Sequence, residues 1–266
     1  MINTSFDFQA EANGREQGDA QPHKLIYESN GTALDWYREK DSDLYSPTLQ
    51  EYHRILWSKP LPSGDLFELT KTGQNRLRHT SHRGEFILSS DRATSVTFAK
   101  NKDVLQITSK LPPDKLDAFS RLSDSIGGII IWPAKRANGL TINQARGFGK
   151  TGRVLADRLD LTVECIRRYF LGEPGPLNEV FRRYDNFFDL FTNFRGWVDF
   201  FLLQDMVDDD YSMVKMAPPF NDFSAPPIPK NVEEYFLYME HTSDLVRKRN
   251  VRIEGWQKTA SSVWIS

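Results

Sequence analysis

The stretch 197–207 constrains the fold most. Trp197, Val198, Phe200, Phe201, Leu202, Leu203, Met206 and Val207 leave almost no polar face. A helix of that profile has to sit inside a core, with other elements on every side. The chain therefore needs enough further apolar surface to surround it. With 266 residues, 39% of them hydrophobic and 12% aromatic, it has that surface. The size suits one large domain or two small ones, and the composition is globular.

The surrounding elements come from two differently patterned halves. Residues 9–24 are polar, contain Gly14, Gly18 and Pro22, and predict a loop or mobile arm. Ser46 and Pro47 mark a helix start, and Leu49, Tyr52, Leu56 and Trp57, with His53 among them, fall on one helical stripe. A turn-rich linker follows over 59–64. Short segments at 66–69, 86–88, 96–98 and 104–107 are aliphatic, aromatic or β-branched and read as strands. Pro112-Pro113-Asp114 opens a helix, Gly127-Gly128 ends it, and Ile129-Ile130-Ile131-Trp132 reads as a buried central strand. After 155 the pattern is helical: 157–171, stopped by Gly172, then 177–191, the core stretch, and 232–246 beyond a proline-rich connector. Regular β–α alternation is missing, which argues against a doubly wound sheet. The expected fold is α+β: a small mixed sheet at about 65–145 followed by a helical bundle. A partly irregular segment 1–40 precedes a single α+β domain over 41–266.

Charge and cysteine content exclude several classes. Lys plus Arg is 34 and Asp plus Glu is 36, a formal net charge of −2, unlike a wholly basic nucleic-acid coat. Cys165 is the one cysteine, so no internal disulfide or cysteine zinc site forms. No apolar run reaches the roughly 18 residues of a membrane span, and the N-terminus has no secretory pattern. These features predict a cytoplasmic protein with no membrane partner and no structural metal.

The charge is nevertheless segregated. Over 135–168 eight basic residues stand against three acidic ones, and over 185–244 twelve acidic residues stand against three basic ones. Internal pairing is one explanation. The other is an anion site: Gly139, Gly147, Gly149 and Gly152 let the backbone approach a phosphate, and Arg136, Arg146, Lys150 and Arg153 neutralise it. Gly149-Lys150-Thr151 ends like a phosphate-binding loop, but the first glycine that motif needs is Gln144 here.

His79-Thr80-Ser81 and Ser89-Ser90 form a second group. His79 and His82 have no third ligand nearby, which speaks against zinc. A His and hydroxyls near a strand end instead suit the nicotinamide ribose and amide of NAD, and the triplet loosely resembles the first-strand element of ADP-ribosyltransferases. That resemblance implies a carboxylate at the oxocarbenium-like centre. No late-strand glutamate is identifiable, and Glu164, on an apolar helix, is the candidate. His79, Ser81 and Glu164 are thus the candidate catalytic set, with Ser89, Arg136, Arg146, Lys150 and Arg153 as cofactor-binding residues and NAD as substrate. Glu164 is also spaced for a plain helix salt bridge with Arg168. Asp199 and Asp205, in the core stretch, must be paired or functional.

Longer stretches carry a broader resemblance. They are Ser46-Pro47-Thr48-Leu49 with Leu56-Trp57-Ser58-Lys59-Pro60, then Gly84-Glu85-Phe86-Ile87-Leu88-Ser89-Ser90-Asp91, then Thr141-Ile142-Asn143-Gln144-Ala145-Arg146-Gly147, Asp160-Leu161-Thr162-Val163-Glu164-Cys165-Ile166-Arg167-Arg168 and Gly196-Trp197-Val198-Asp199. Over 44–250 the chain resembles an uncharacterised family of bacterial cytoplasmic proteins without assigned activity. The resemblance implies one bacterial intracellular domain and carries no mechanism; 9–40 falls outside it.

Three functions are expected from these features. The first is an enzyme acting on NAD or nucleic acid, such as a toxin or phage-defence effector performing ADP-ribosyl transfer. The second is a non-catalytic module whose acidic bundle docks a basic partner, such as an antitoxin or chaperone. The third is a metal-dependent nuclease built on Asp199 and Asp205.

Overall fold

A computed structural model describes residues 1–19, 40–92, 102–135, 139–147, 155–224 and 227–263. The first departure from expectation is at the N-terminus. Part of the polar run 9–24 is helical: α1 spans Phe8–Asn13, capped by the Asp7 side chain and closed by left-handed Gly14. One large apolar side chain, Phe8, anchors it edge-on to Tyr52, so no periodic stripe announces it. Then come α2 (Ser42–Tyr45) and α3 (Pro47–Trp57). The latter begins as expected, with Ser46 Oγ accepting from the Leu49 N–H at 3.2 Å and Leu49, Tyr52, His53, Leu56 and Trp57 buried.

The linker expected over 59–64 is the first arm of a small hairpin, β1 (Lys59–Pro60) against β2 (Leu66–Phe67). The main sheet follows: β3 (Thr70–Lys71), β4 (Leu77–Ser81) and β5 (Gly84–Arg92). Between β5 and the last strand lie α4 (Lys102–Thr108) and α5 (Pro113–Ser123), and β6 (Ile129–Pro133) completes the order β3-β4-β5-β6. All its pairings are antiparallel, so the sheet is not mixed. β6 is buried at every position, as expected, yet it ends the sheet and is not central. Residues 104–107, expected as a strand, belong to α4. A short aliphatic run does not distinguish the two, and here packing against the last helix decides. The segment 96–98 lies outside the described residues.

Two helices precede the aromatic region, α6 (Ile142–Arg146) and α7 (Leu159–Leu171), the second ending at Gly172 with φ 71°. The expected helix 177–191 is broken into α8 (Asn178–Arg182), α9 (Asp185–Phe188) and a 3-10 turn. The core stretch is broken too. Helix α10 covers only Phe194–Phe200, and Leu202 at φ 55° turns the chain into a second 3-10 turn. The burial expected of Trp197, Phe200, Phe201, Leu203 and Phe188 holds. The breaks explain how, because consecutive large residues of one straight helix point in all directions, whereas a bent chain turns each of them inward. The final helix α11 (Val232–Val263) runs well past the expected end at 246.

Helix α11 closes the core. Asn250 accepts from the Gly127 N–H at 2.8 Å, and a Cβ on Gly127 would sit 2.3 Å from the Asn250 Oδ1. That position needs glycine for close approach rather than for a special turn. A smaller second core joins α4 and α5 to α11 through Val104, Phe119, Tyr235 and Tyr238.

Candidate functional site

Strand β5 outlasts its neighbour. Pairing with β4 stops at Leu88, while Ser89 to Arg92 continue against β6 alone. Asp43 of α2 takes the bared edge. Its carboxylate accepts from the Ser90 N–H at 2.9 Å and from the Ser90 hydroxyl. Arg76 pairs with Asp41 at 3.2 Å and lies 3.8 Å from Asp43. Burial raises the Asp43 carboxyl to about 6 against the pull of the Ser90 hydrogen bonds, and the Asp41 charge adds to the rise.

Side chains alternate along a strand, so Ser89 and Asp91 face away from Ser90. There they meet one turn of α6. Asn143 donates to the Ser89 hydroxyl at 3.3 Å, and Arg146, three residues on, pairs with Asp91. The Arg146 guanidinium also donates to Thr162 Oγ1 at 2.8 Å and to the Asp157 carbonyl at 3.1 Å, and it lies over the Trp132 ring. It is wholly buried, while the Asp91 side chain is 30% exposed. Burial brings the Asp91 carboxyl up to about 6, with Arg146 opposing and Asp157 reinforcing. A capping box sets this turn: Thr141 accepts from the Gln144 N–H, and Gln144 accepts from the Thr141 N–H. Gln144, the residue that spoils the phosphate-loop match, has this local role.

Ser90, Asp91 and Arg92 are among the residues that line a polar cleft of about 320 Å³. Gln9 of α1, the chain at Lys40–Ser42 and Asp124 form its walls. Arg92 is tied to Asp124 at 2.5 Å.

The residues expected to be catalytic are not joined to one another. His79, on β4, is buried and stacks on Phe67 at 4.0 Å. Its Nδ1 donates to the Glu68 carbonyl at 3.1 Å, leaving Nε2 without a partner. Burial holds its pKa below the usual histidine range. Ser81 accepts from the Arg83 N–H in the hairpin turn. Glu164 is held by Arg167 at 2.8 Å and Arg168 at 2.6 Å. Burial pushes its carboxyl up, but the two guanidinium groups outweigh that and hold it low. Of the expected cofactor-binding residues, Ser89 and Arg146 come together through α6. Arg146 faces the interior, not open solvent, so it cannot line the edge of a cleft. Arg136, Lys150 and Arg153 lie outside the described residues.

Several functional-looking acids have plain partners. Asp199 accepts from Tyr211 at 2.6 Å and Gln204 at 2.9 Å. Asp205 accepts a two-pronged bond from Arg252 of α11. Arg158 and Asp160, which sequence reasoning passed over, form a buried pair at 2.6 Å, and Arg158 also donates to the carbonyls of Ala217, Pro219 and Pro227 in the proline connector. Among the described residues, Arg158, Arg167 and Arg168 of the basic middle thus find acids within it, Arg146 finds Asp91, and Asp205 and Asp244 of the acidic part draw on the basic tail. Among the described residues no three His, Cys, Asp or Glu side chains gather as a metal-ligand set. Cys165 is buried, and burial raises its thiol far above the usual range.

An α+β chain with an antiparallel sheet, an aromatic core and a polar cleft at a strand end defines a class of fold but not a reaction. The chain belongs to a family of unknown function, DUF6994, whose match covers residues 2–253. The match includes 9–40, which was expected to fall outside the family. No curated protein and no solved structure matches the chain. No helix among the described residues is long and apolar enough to cross a membrane.

Proposed function

We propose that this protein is an enzyme acting on NAD or a related nucleotide, with the cleft at the end of β5 as its active site and Asp91 as its principal carboxylate. The observation that carries this reading is the polar cleft at the end of β5, whose lining includes Asp91; that side chain is held by Arg146 from the α6 side, is 30% exposed and has its carboxyl raised to about 6. A group with that value changes protonation close to neutral pH, which suits proton transfer. Above it, the carboxylate can stabilise an oxocarbenium-like ribose as the N-glycosidic bond breaks. Asp41, Ser42 and Gln9 offer partners for ribose hydroxyls, and Lys40 offers positive charge for a phosphate. The cleft falls in the range of small-ligand sites, roughly 300–1,000 Å³. In this reading Asp91 takes the carboxylate role first sought in Glu164, whose oxygens are held by two arginines.

The test is calorimetric titration with NAD and nucleotides, followed by an NAD-consumption assay, on wild type and Asp91→Asn. Expected are binding by both and a loss of about 10²-fold or more in rate for the variant. Growth arrest on expression of wild type, relieved by Asp91→Asn, would extend the reading to a toxin or phage-defence effector. A wild type that neither binds nor consumes any of these ligands overturns it. The docking reading keeps in its favour the exposed Asp209 and Asp210, and it becomes the better one if a basic peptide binds where nucleotides do not.

A further inference from the structure

Lys59 opens β1 directly after α3, with its Nζ 4.8 Å from the centre of the Phe200 ring and 5.3 Å from those of Trp57 and Trp256. The residue is half-buried, and its Nζ makes no hydrogen bond or ion pair among the described residues. Arg249, which lies over the same Trp57 ring, acts on Lys59 as a like charge, and Asp199 acts as an opposite one. An ammonium here has lost part of its water to the rings without gaining an acceptor. The rings attract a cation, but they cannot replace the hydrogen bonds to its three protons. Burial first, then Arg249, bring this amine down to about 7, with Asp199 opposing. Much of it is therefore neutral and nucleophilic near physiological pH.

We propose that Lys59 is a nucleophilic amine that captures an aldehyde or ketone, carried on a small apolar or aromatic body, as an imine. The Nζ lone pair attacks the carbonyl carbon, forming the C–N bond, and the carbonyl π pair moves to oxygen. A proton passes from nitrogen to that oxygen to give the carbinolamine. With one further proton from solvent, water leaves and the protonated imine remains, so no oxidant or reductant is needed. The site fits both ends of this step. A desolvated lysine beside another cation is the setting that activates an amine for imine formation. The product is a cation again, without the ammonium's demand for three acceptors, and it lies against three π faces. Trp57 and Phe200 are buried, so the half-buried Trp256 is the ring that receives the apolar body of the carbonyl compound. This site is separate from the β5 cleft and does not depend on the function proposed for it.

The experiment treats the full chain with benzaldehyde and cyanoborohydride across pH 6–10 and locates the trapped alkyl groups by peptide mass spectrometry. The exposed Lys215 is the internal reference. Lys59 should be labelled at pH 7 about tenfold or more faster than Lys215, with half-maximal rate near pH 7. Trp256→Leu, which opens the cage to water, should move that midpoint upward and narrow the difference. Labelling of Lys59 no faster than Lys215, no labelling at all, or a midpoint as high as that of Lys215 would overturn the proposal. The wild-type comparison decides alone if the variant fails to fold.

Discussion

Around β5 and α7 the buried guanidinium groups face carboxylates, whereas in the aromatic core Arg249 faces only backbone oxygens and rings. Arg146 answers Asp91, and Arg158 answers Asp160. Arg249 donates to the carbonyls of Phe201, Gly127 and Ile129 and lies over Trp57, with no carboxylate partner among the described residues. The two settings direct the cost of burial to different groups. In the first it falls on the acids, and unevenly. Burial pushes Asp160 up, but two nitrogens of Arg158 and the Ala217 N–H outweigh it and hold the carboxyl low. Asp91 has less help and the Asp157 charge nearby, so burial prevails and its carboxyl rises to about 6. In the aromatic core every cation loses. Burial brings Arg249 to about 9, and burial together with Arg249 brings Lys59 to about 7 and His53 to about 3. His53 accepts from the Trp57 indole N–H at 2.9 Å, which requires the neutral ring.

The largest test of this contrast removes a guanidinium from its acid. Arg158→Met leaves Asp160 buried and unpaired, which should cost about 3–5 kcal/mol in urea unfolding. Arg158→Met combined with Asp160→Leu should recover part of that, but not all, because three connector carbonyls stay without their donor. Full additivity of the two substitutions would break the pairing argument. Arg249→Met should cost less, about 2 kcal/mol: carbonyls lose donors, but no charge is stranded. The same substitution should raise the Lys59 labelling midpoint, since a like charge is gone. A loss as large as that of Arg158→Met would erase the distinction between the regions.

The smallest effect is in pH dependence, and its sign differs between the regions. Asp43 and Asp91 have raised folded pKa values, so the folded state binds more protons than the unfolded chain between about 6 and 3.8. Their contribution improves as pH falls through that window. Lys59 is lowered, so the folded state binds fewer protons between about 7 and 10.5, and its contribution improves as pH rises there. Urea midpoints across pH should show Asp91→Asn flattening the acid-side trend alone and Lys59→Met the alkaline trend alone. One variant flattening both would show that the regions are coupled.

Parts of this molecule were legible residue by residue. Ser46 and Pro47 at the start of α3, Gly172 at the end of α7 and the Glu164–Arg168 pair depend on neighbours within one or two turns, and each stands where it was expected. The capping box of Thr141 and Gln144 was equally readable and marks the turn that carries Asn143 and Arg146. The clustering of Asp43, Ser90, Asp91 and Arg146 was not, because Asp43 acts across 47 positions on Ser90 and Arg146 across 55 on Asp91. No local pattern encodes that β4 is shorter than β5, which is what leaves the edge for Asp43 to fill.

The amino-acid sequence by itself determined which apolar stretches go inside, the α+β character, the starts of α3, α5 and α11 and the end of α7, because hydrophobicity, caps and glycine conformations act over a few residues. Only the tertiary structure decided that the aromatic stretch bends at Leu202, that Val104 to Ile107 is helix, and that one buried arginine meets an acid while another meets carbonyls. Those outcomes depend on what lies opposite each side chain. A buried group's energy is set by partners brought from distant parts of the chain, and the same residue in the same local sequence is stable, costly or reactive according to which partners arrive.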